Sequence, residues 1–482
     1  MLRKEYPGQL DTPVPKAIMN TMKNRGVTIL YHKAWRAKQM AASGIRGAPH
    51  MSFTLLPRYL HMLKKLNPGT VTHLVVDDNQ VFKYFFMALG ACIEGFKAMR
   101  KVISVDGTFL KTKYRGTMIV ATAQDGNYHQ YPLAFAVVDS ENNDSWRWFM
   151  TKLQEIIPDD DELVFISDRH QSILKAVAKV YKKSTHGLCA WHLSQNIKTR
   201  VKSKERDDPE VDKEKRKKGK TYRSVATKFM DIAESYTISE FNQLYGDYKS
   251  RYPKATEYLE NSVEIGKWAR CYFPGSRYNI LTTNGAECIN GVLKKARAYP
   301  LIPLADAIVE KISEWFDRHR KESCLGSSSQ LLTPAIEKEL HSRYKKSTFY
   351  EVRELNMSTL EFHVTREDGS FLVDLEKKTC TCKVFDIDKI PCAHALAAFP
   401  GGPNNMYILC SKYYLKELWS LAYVQTIYPV PELSEWIVPD DVQDIKVYAP
   451  EFKAKRRRLQ QTRFPSVGEY RKRKIRSFGQ SS

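Results

Sequence analysis

Four residues in one short stretch have the types and spacing of a metal site. In CTCKVFDIDKIPCAH, Cys380 and Cys382 are one residue apart, nine residues follow, and Cys392 and His394 are again one residue apart. Three thiolates and one imidazole fit a closed tetrahedral Zn2+ site. A closed site leaves no position for substrate, so its role is structural, stabilising a domain too small to hold itself. The plain alternative is four unrelated residues. A second chemistry is suggested by carboxylates in unexpected places. Asp106 lies within ISVDGTF and Asp168 follows VFIS, both in runs that read as buried strand. A carboxylate in such a run conflicts with the local pattern, and such conflicts tend to mark functional sites. Mg2+ or Mn2+ takes acidic oxygens. Phosphoryl transfer between two such ions, roughly 3.5–4 Å apart, needs carboxylates that converge. Each aspartate also has a plainer reading. Asp106-Gly107 is a turn signal, and Asp168 could cap a helix starting near Gln171.

The elements that would position these acids follow from hydrophobic period. KVISVDGTFLK, MIVATAQDG, YPLAFAVVD, ELVFISDRH and HGLCAWH read as short apolar strands. SWRWFMTKLQEII reads as a helix, with Trp146, Phe149 and Leu153 on one stripe. SILKAVAKVY is a second helix. The order βββαβαβ, with acids on the first and fourth strands, is that of the ribonuclease H-like fold, an α/β class in which those strands are neighbours. Asp125-Gly126 reads as a hairpin turn and Asp139 as a strand end, so neither is assigned to metal.

VDGTFLK, AFAVVDSEN, SDRH, CAWH and the later RYNILTTNGAECIN together resemble a Mutator-like (MuDR-type) plant transposase, from about Tyr31 to about His394. The resemblance implies a DDE core in which Asp106 and Asp168 are the first two acids and Glu287 the third. Glu287 also has a plain reading, because Asn284-x-x-Glu287 has capping-box spacing. Ala286, Ile289, Leu293 and Ala296 form the buried stripe of its helix. Glu310 and Glu314 on the next helix are fallback acids, and Lys294, Lys295 and Arg297 are candidate phosphate contacts. Cys189 and His192 match the family's Cys-x-x-His pair, an accessory to the acids; alternatively they are a buried cysteine and a helix-starting histidine. The Cys380, Cys382, Cys392 and His394 pattern resembles the SWIM zinc finger. Family members commonly carry a further DNA-binding finger ahead of the core. The first cysteine here is Cys92, so recognition of particular DNA ends is not expected from this chain's own N-terminal residues.

The remaining segments are read by composition. Residues 1–99 are expected to be mostly helical, with Ser52 as N-cap and Asn67-Pro68-Gly69 as stop for SFTLLPRYLHMLKKL. The core occupies 100–198 and resumes over 271–325 with the third acid, around an all-helical insertion at 199–270. There Thr237-x-x-Glu240 is a capping box and Phe241, Leu244, Tyr245 and Tyr248 form a core stripe. The zinc module spans 345–400, with EFHVTR-EDG-SFLVDL as a hairpin. The extension 401–482 packs Tyr414, Leu418 and Leu421 on that module and ends in the basic runs KAKRRR and RKRK. The chain has 76 Lys and Arg against 54 Asp and Glu, a formal charge of +22, which favours a polyanionic partner such as DNA. Nine cysteines without a regular framework suit a reducing compartment. No apolar run long enough for a membrane span and no secretory signal are seen. A nuclear, metal-dependent transposase is therefore expected to cut and join DNA at transposon ends, with a homo-oligomer as one option. The rival is a domesticated transposase that regulates transcription by binding DNA without catalysis.

Overall fold

The computed structural model describes residues 15–34, 37, 47–200, 225–325, 330–367 and 369–451. The Lys-rich loop at 202–220 and both terminal basic runs lie outside the described residues.

Seven strands make the main sheet: β1 (Val71–Val76), β2 (Phe82–Ala88), β3 (Val102–Phe109), β4 (Thr117–Gln124), β5 (Gln130–Val138), β6 (Val164–Ser167) and β7 (Thr185–Leu188). Their spatial order is β1-β2-β5-β4-β3-β6-β7. β3, β4 and β5 are an antiparallel meander, while β6 runs parallel to β3 and β7 parallel to β6. The centre of the sheet is covered on both faces, so β4 is apolar without alternation and buried almost throughout. The helices of this region are α1 (Leu56–Leu66), α2 (Gly90–Phe96), α3 (Asn143–Ile156) and α4 (Gln171–Val180). A reciprocal capping box between Asn142 and Ser145 starts α3. Its stripe of Trp146, Phe149 and Leu153 is fully buried, as the period requires.

The helical expectation for 1–99 needs correction. α1 is present, but VTHLVV is β1 and FKYFFMA is β2, which extend the sheet through Phe85 and Phe86 of β2 against β5. β1 and β2 are themselves an antiparallel hairpin across a turn held by Asp77 Oδ1, which accepts from Asn79 N and Val81 N, both at 2.9 Å; only β5 is far along the chain. Ser52 sits inside a separate short helix, Met51–Thr54, rather than capping α1.

Beyond β7 the chain turns helical, with α5 (Ala190–Arg200), α6 (Val225–Ala233), α7 (Ile238–Arg251) and α8 (Pro253–Ser262). This unit has its own core around Ile197, Phe229, Phe241, Tyr248 and Trp268. Thr237 Oγ1 accepts from Glu240 N at 3.1 Å, and the Glu240 carboxylate reaches back to Tyr236 N at 3.0 Å. α9 (Asn284–Val292) then returns to pack on β3, β4 and β5. α10 (Leu301–Cys324) and α11 (Pro334–Ser347) lead to a second sheet of β8 (Glu351–Asn356), β9 (Glu361–Arg366), β10 (Gly369–Asp374) and β11 (Thr379–Cys380), in the order β11-β10-β9-β8. Two short helices, α12 (Val384–Asp388) and α13 (Ala393–Ala398), close this module.

The segment after the module is only partly as expected. Tyr414 does pack beside Ile390 and Leu396, and its hydroxyl donates to Asp388 O at 2.9 Å. Leu418, on α14 (Lys416–Leu421), packs instead against the main core, and Leu421 is exposed. Trp419 and Tyr423 are the reason: both are buried in the main core, and both bond to Asp125 there.

Candidate functional site

The first acid comes from the middle of the sheet. Asp106 is buried on β3, opposite Val120 of β4. β3 and β6 pair in parallel with Ser104 beside Ile166. Asp106 and Asp168 each lie two residues beyond that last register pair. Asp168 is half-buried, just past the end of β6. Its Oδ1 accepts from His170 N at 2.9 Å, which holds the chain entering α4; the helix N-cap itself is His170. The plainer reading of Asp168 is therefore met only by one carboxylate oxygen. Asp106 is within a strand and not at a turn, because β3 continues to Phe109.

α9 brings the third acid to the same end of these strands. Gly285 faces the sheet, where an added Cβ would sit 2.2 Å from Gln130 Oε1, the end of a flexible side chain, and 3.0 Å from Thr122 Oγ1. Ala286, Ile289, Leu293 and Ala296 are buried, as the stripe requires. Asn290, one turn beyond Glu287, donates from Nδ2 to Asp106 Oδ2 at 2.7 Å. Glu287 does not reach back to Asn284 as a capping box would. The N-cap is Thr283, whose hydroxyl donates to Glu287 Oε1 at 3.2 Å. Of the two fallback acids on α10, Glu314 pairs with Lys311 and Glu310 is exposed.

Cys189 and His192 join this place. Cys189 follows β7, and its sulfur accepts from Thr283 N at 3.3 Å. His192 Nε2 is 3.5 Å from Glu287 Oε1, and Nδ1 is 3.4 Å from the Thr283 hydroxyl. Ligand atoms of Cys189, His192 and Glu287 all lie within 4.8 Å of one another. Asp106 and Asp168 belong to no such set of three among the described residues. Burial alone would lower the His192 pKa, but the Cys189 sulfur, Glu287 and Asp106 outweigh it and raise the value to about 9. Asn290 Oδ1 and His192 Nε2 are buried without a hydrogen-bond partner.

Thr283 and Asn290 were not singled out by the sequence. Their only signal was position, one residue before the α9 helix and one turn after its glutamate. Of the basic candidates, Lys294 and Lys295 are exposed, while Arg297 is half-buried near Asp106 and bonds to Thr108 Oγ1.

The cysteine-histidine set is compact. Ligand atoms of Cys380, Cys382, Cys392 and His394 lie within 4.8 Å of one another. His394 Nδ1 is 3.6 Å from Cys380 Sγ and 3.7 Å from Cys392 Sγ. Around one tetrahedral Zn2+, with Zn–S of about 2.3 Å and Zn–N of about 2.0–2.1 Å, sulfur and nitrogen would be roughly 3.6 Å apart. Geometry and donor chemistry therefore both fit zinc. The His394 ring is stacked on Phe371 at 3.7 Å and edge-on to Tyr350 at 4.7 Å, which fixes its orientation. Arg343 of α11 bonds to Asp388 and to the carbonyls of Ile390 and Pro391, tying the module to the body.

Comparison with known proteins gives the same two segments. The MULE transposase domain model matches residues 102–196, and the SWIM zinc finger model matches residues 362–399. The first contains Asp106, Asp168, Cys189 and His192; Glu287 lies beyond it. The Arabidopsis thaliana protein FAR-RED IMPAIRED RESPONSE 1 is 21% identical over 71% of this chain and 43% of its own length. FAR1-RELATED SEQUENCE 5 of the same plant is 20% identical over 76% of this chain and 48% of its own length. The chain thus spans less than half the length of these two relatives. The transposase for insertion sequence element IS905, from Lactococcus lactis, is 25% identical over 46% of this chain and 54% of its own length. No described helix is long and apolar enough to cross a membrane. The chain is built on a MULE transposase domain followed by a SWIM zinc finger.

Proposed function

We propose that this protein is a DDE-type transposase acting on DNA in the nucleus, with a ribonuclease H-like core that holds Mg2+ or Mn2+ on Asp106, Asp168 and Glu287. The strand order β5-β4-β3-β6-β7 supports the fold, because it sets the first strand of the meander beside the fourth. The single observation that carries the reading is the Asn290–Asp106 bond of 2.7 Å, which ties the helix of the third acid to the strand of the first.

When bound, the ions would activate the attacking oxygen and stabilise the leaving one. The chain's own residues do the rest. Asn290 fixes one Asp106 oxygen. Thr283 fixes Glu287. His192, raised to about 9, is a cation at neutral pH beside Glu287 and offsets part of the negative charge. Arg297, Lys294 and Lys295 meet backbone phosphates without reading sequence. The same site serves strand cleavage by water and joining by a 3′-hydroxyl, since both are in-line displacements at phosphorus.

Cleavage of DNA bearing transposon terminal repeats, with Mg2+ or Mn2+, tests this. Asp106→Asn, Asp168→Asn and Glu287→Gln should each lower cleavage at least about 10³-fold while DNA binding is retained. Equal cleavage by all three variants rejects the enzyme. The second reading is a domesticated DNA-binding regulator. It is favoured by one observation, that two of the matched relatives carry plant FAR1-type names rather than transposase names. It is the reading left standing if the purified chain binds DNA and neither wild type nor variants cut it.

A further inference from the structure

One more set of metal-ligating side chains converges away from both sites already described. His129 lies in the β4–β5 connection, and His319 and Glu322 lie on the last turns of α10. Their ligand atoms are within 4.8 Å of one another. His319 Nδ1 is 2.9 Å from Glu322 Oε2, and His129 Nε2 is 3.8 Å from the same oxygen. Nitrogen and oxygen ligands held at about 2.0–2.1 Å by one tetrahedral ion would lie roughly 3.3 Å apart. The two distances bracket that value.

The surroundings are those a metal-binding histidine uses. His129 turns its other nitrogen, Nδ1, to Asp125 Oδ2 at 3.2 Å. A carboxylate on the far nitrogen fixes ring orientation and raises ligand basicity. Asp125 is fully buried and is itself locked. Trp419 Nε1 and the Tyr423 hydroxyl donate to Oδ2 at 2.7 and 2.8 Å, and the Asn127 and His129 amides donate to Oδ1 at 2.9 and 2.8 Å. The His129 and His319 rings are stacked at 4.1 Å, so both present edges to the same space. Arg318 stands at His319 Nε2, 3.4 Å away, the nitrogen that faces away from Glu322. His129 and Glu322 are partly open to solvent, which leaves an entry path and room for water.

We propose that His129, His319 and Glu322 form a divalent transition-metal site of three protein ligands and water, with Zn2+ as the fitting ion. The ion would clamp the β4–β5 connection to α10 and, through Asp125, to the segment carrying Trp419 and Tyr423. It needs neither DNA cleavage nor the zinc finger.

The test is a Co2+ titration of the full chain, with zinc left in the finger, read by visible absorption and by metal analysis. Cobalt on thiolate gives intense near-ultraviolet charge transfer; cobalt on nitrogen and oxygen does not. Beyond any cobalt held by the acid site, the wild type should bind one further equivalent with visible bands and no such charge transfer. Glu322→Gln should weaken that binding about 10–100-fold, the order seen when metal-site shells are disturbed. His129→Ala should abolish it, and Asp106→Asn should leave it unchanged. Glu322 is 38% exposed, so its variant tests the site without disturbing the core. Binding that survives Glu322→Gln, binding lost in Asp106→Asn, or no sulfur-free equivalent at all would each overturn the proposal.

Discussion

The zinc finger and the acid site gather their ligands in opposite ways. The finger takes all four from residues 380–394, on two loops of one small module. The acid site takes its groups from β3, the ends of β6 and β7, α5 and α9, with Asp106 and Glu287 separated by a whole helical unit. A site made within one stretch depends on its ion, because so small a module has little other core. A site made across a sheet depends on packing that exists before any ion arrives.

Removing zinc should give the largest separation between the two. Structural zinc is worth about 10–16 kcal/mol to a finger. Cys392→Ser, or a strong chelator, should therefore unfold residues around 351–399 and leave the seven-stranded sheet intact. Hydrogen exchange read segment by segment checks this: protection lost in β9 and β10 but kept in β3, β4 and β5 is the expected outcome. Equal loss in both regions would mean that the body cannot stand without the module, and the contrast would fail.

Acid should act on the sheet through a different residue. His186 of β7 is half-buried, and desolvation first, with Lys267 adding to it, lowers its pKa to about 3. Ser167 donates to Asp168 O at 2.7 Å and meets His186 Nε2 at 2.8 Å, so the neutral imidazole N–H completes the pair. The native state thus disfavours the proton that the unfolded chain accepts near 6.5. Stability from this group is fully present above that pH and declines as pH falls from 6.5 toward about 3, by roughly 2 kcal/mol at pH 5. His186→Gln should flatten this part of the unfolding profile of the sheet without moving the pH at which zinc leaves the finger. A profile unchanged by the substitution would remove His186 from the account.

The same contrast explains what could be read without coordinates. The finger ligands were legible because spacing and donor type are both local. The βββαβαβ run was legible because its strands are continuous apolar stretches and α3 carries a clear stripe. β1 and β2 were missed although they form a local antiparallel hairpin whose Asp77-Asp78-Asn79 turn was readable; only the docking of β2 on β5 lies far along the chain. Asp106 and Asp168 stood out as charges in apolar strands. Glu287 came only from resemblance, since a glutamate three residues after an asparagine looks like an ordinary cap. Thr283 and Asn290 gave no signal, because a neutral hydrogen-bonding side chain near a helix start is common and acquires meaning only through what the sheet sets against it. The role expected of Leu418 and Leu421 failed for the same reason: the buried Asp125 that recruits Trp419 and Tyr423 is nearly 300 residues away along the chain.

Thr283 offers the finest division between the two kinds of site. It is fully buried just ahead of α9. Its amide bonds to Cys189 Sγ and its carbonyl accepts from Glu287 N at 3.1 Å, and neither contact depends on the side chain. Only the hydroxyl links Glu287 Oε1 and His192 Nδ1. Thr283→Val keeps the shape and deletes that link, so it should cost only about 0.5–1.5 kcal/mol of stability. Its effect on cleavage should be larger in proportion, about ten-fold, because a carboxylate free to rotate holds an ion less well than one fixed beforehand. Thr283→Ser restores the hydroxyl and should restore the rate. If Val and wild type cut equally while Val is less stable, the hydroxyl serves packing alone, and the acid site would owe its geometry to its ions after all, as the finger does.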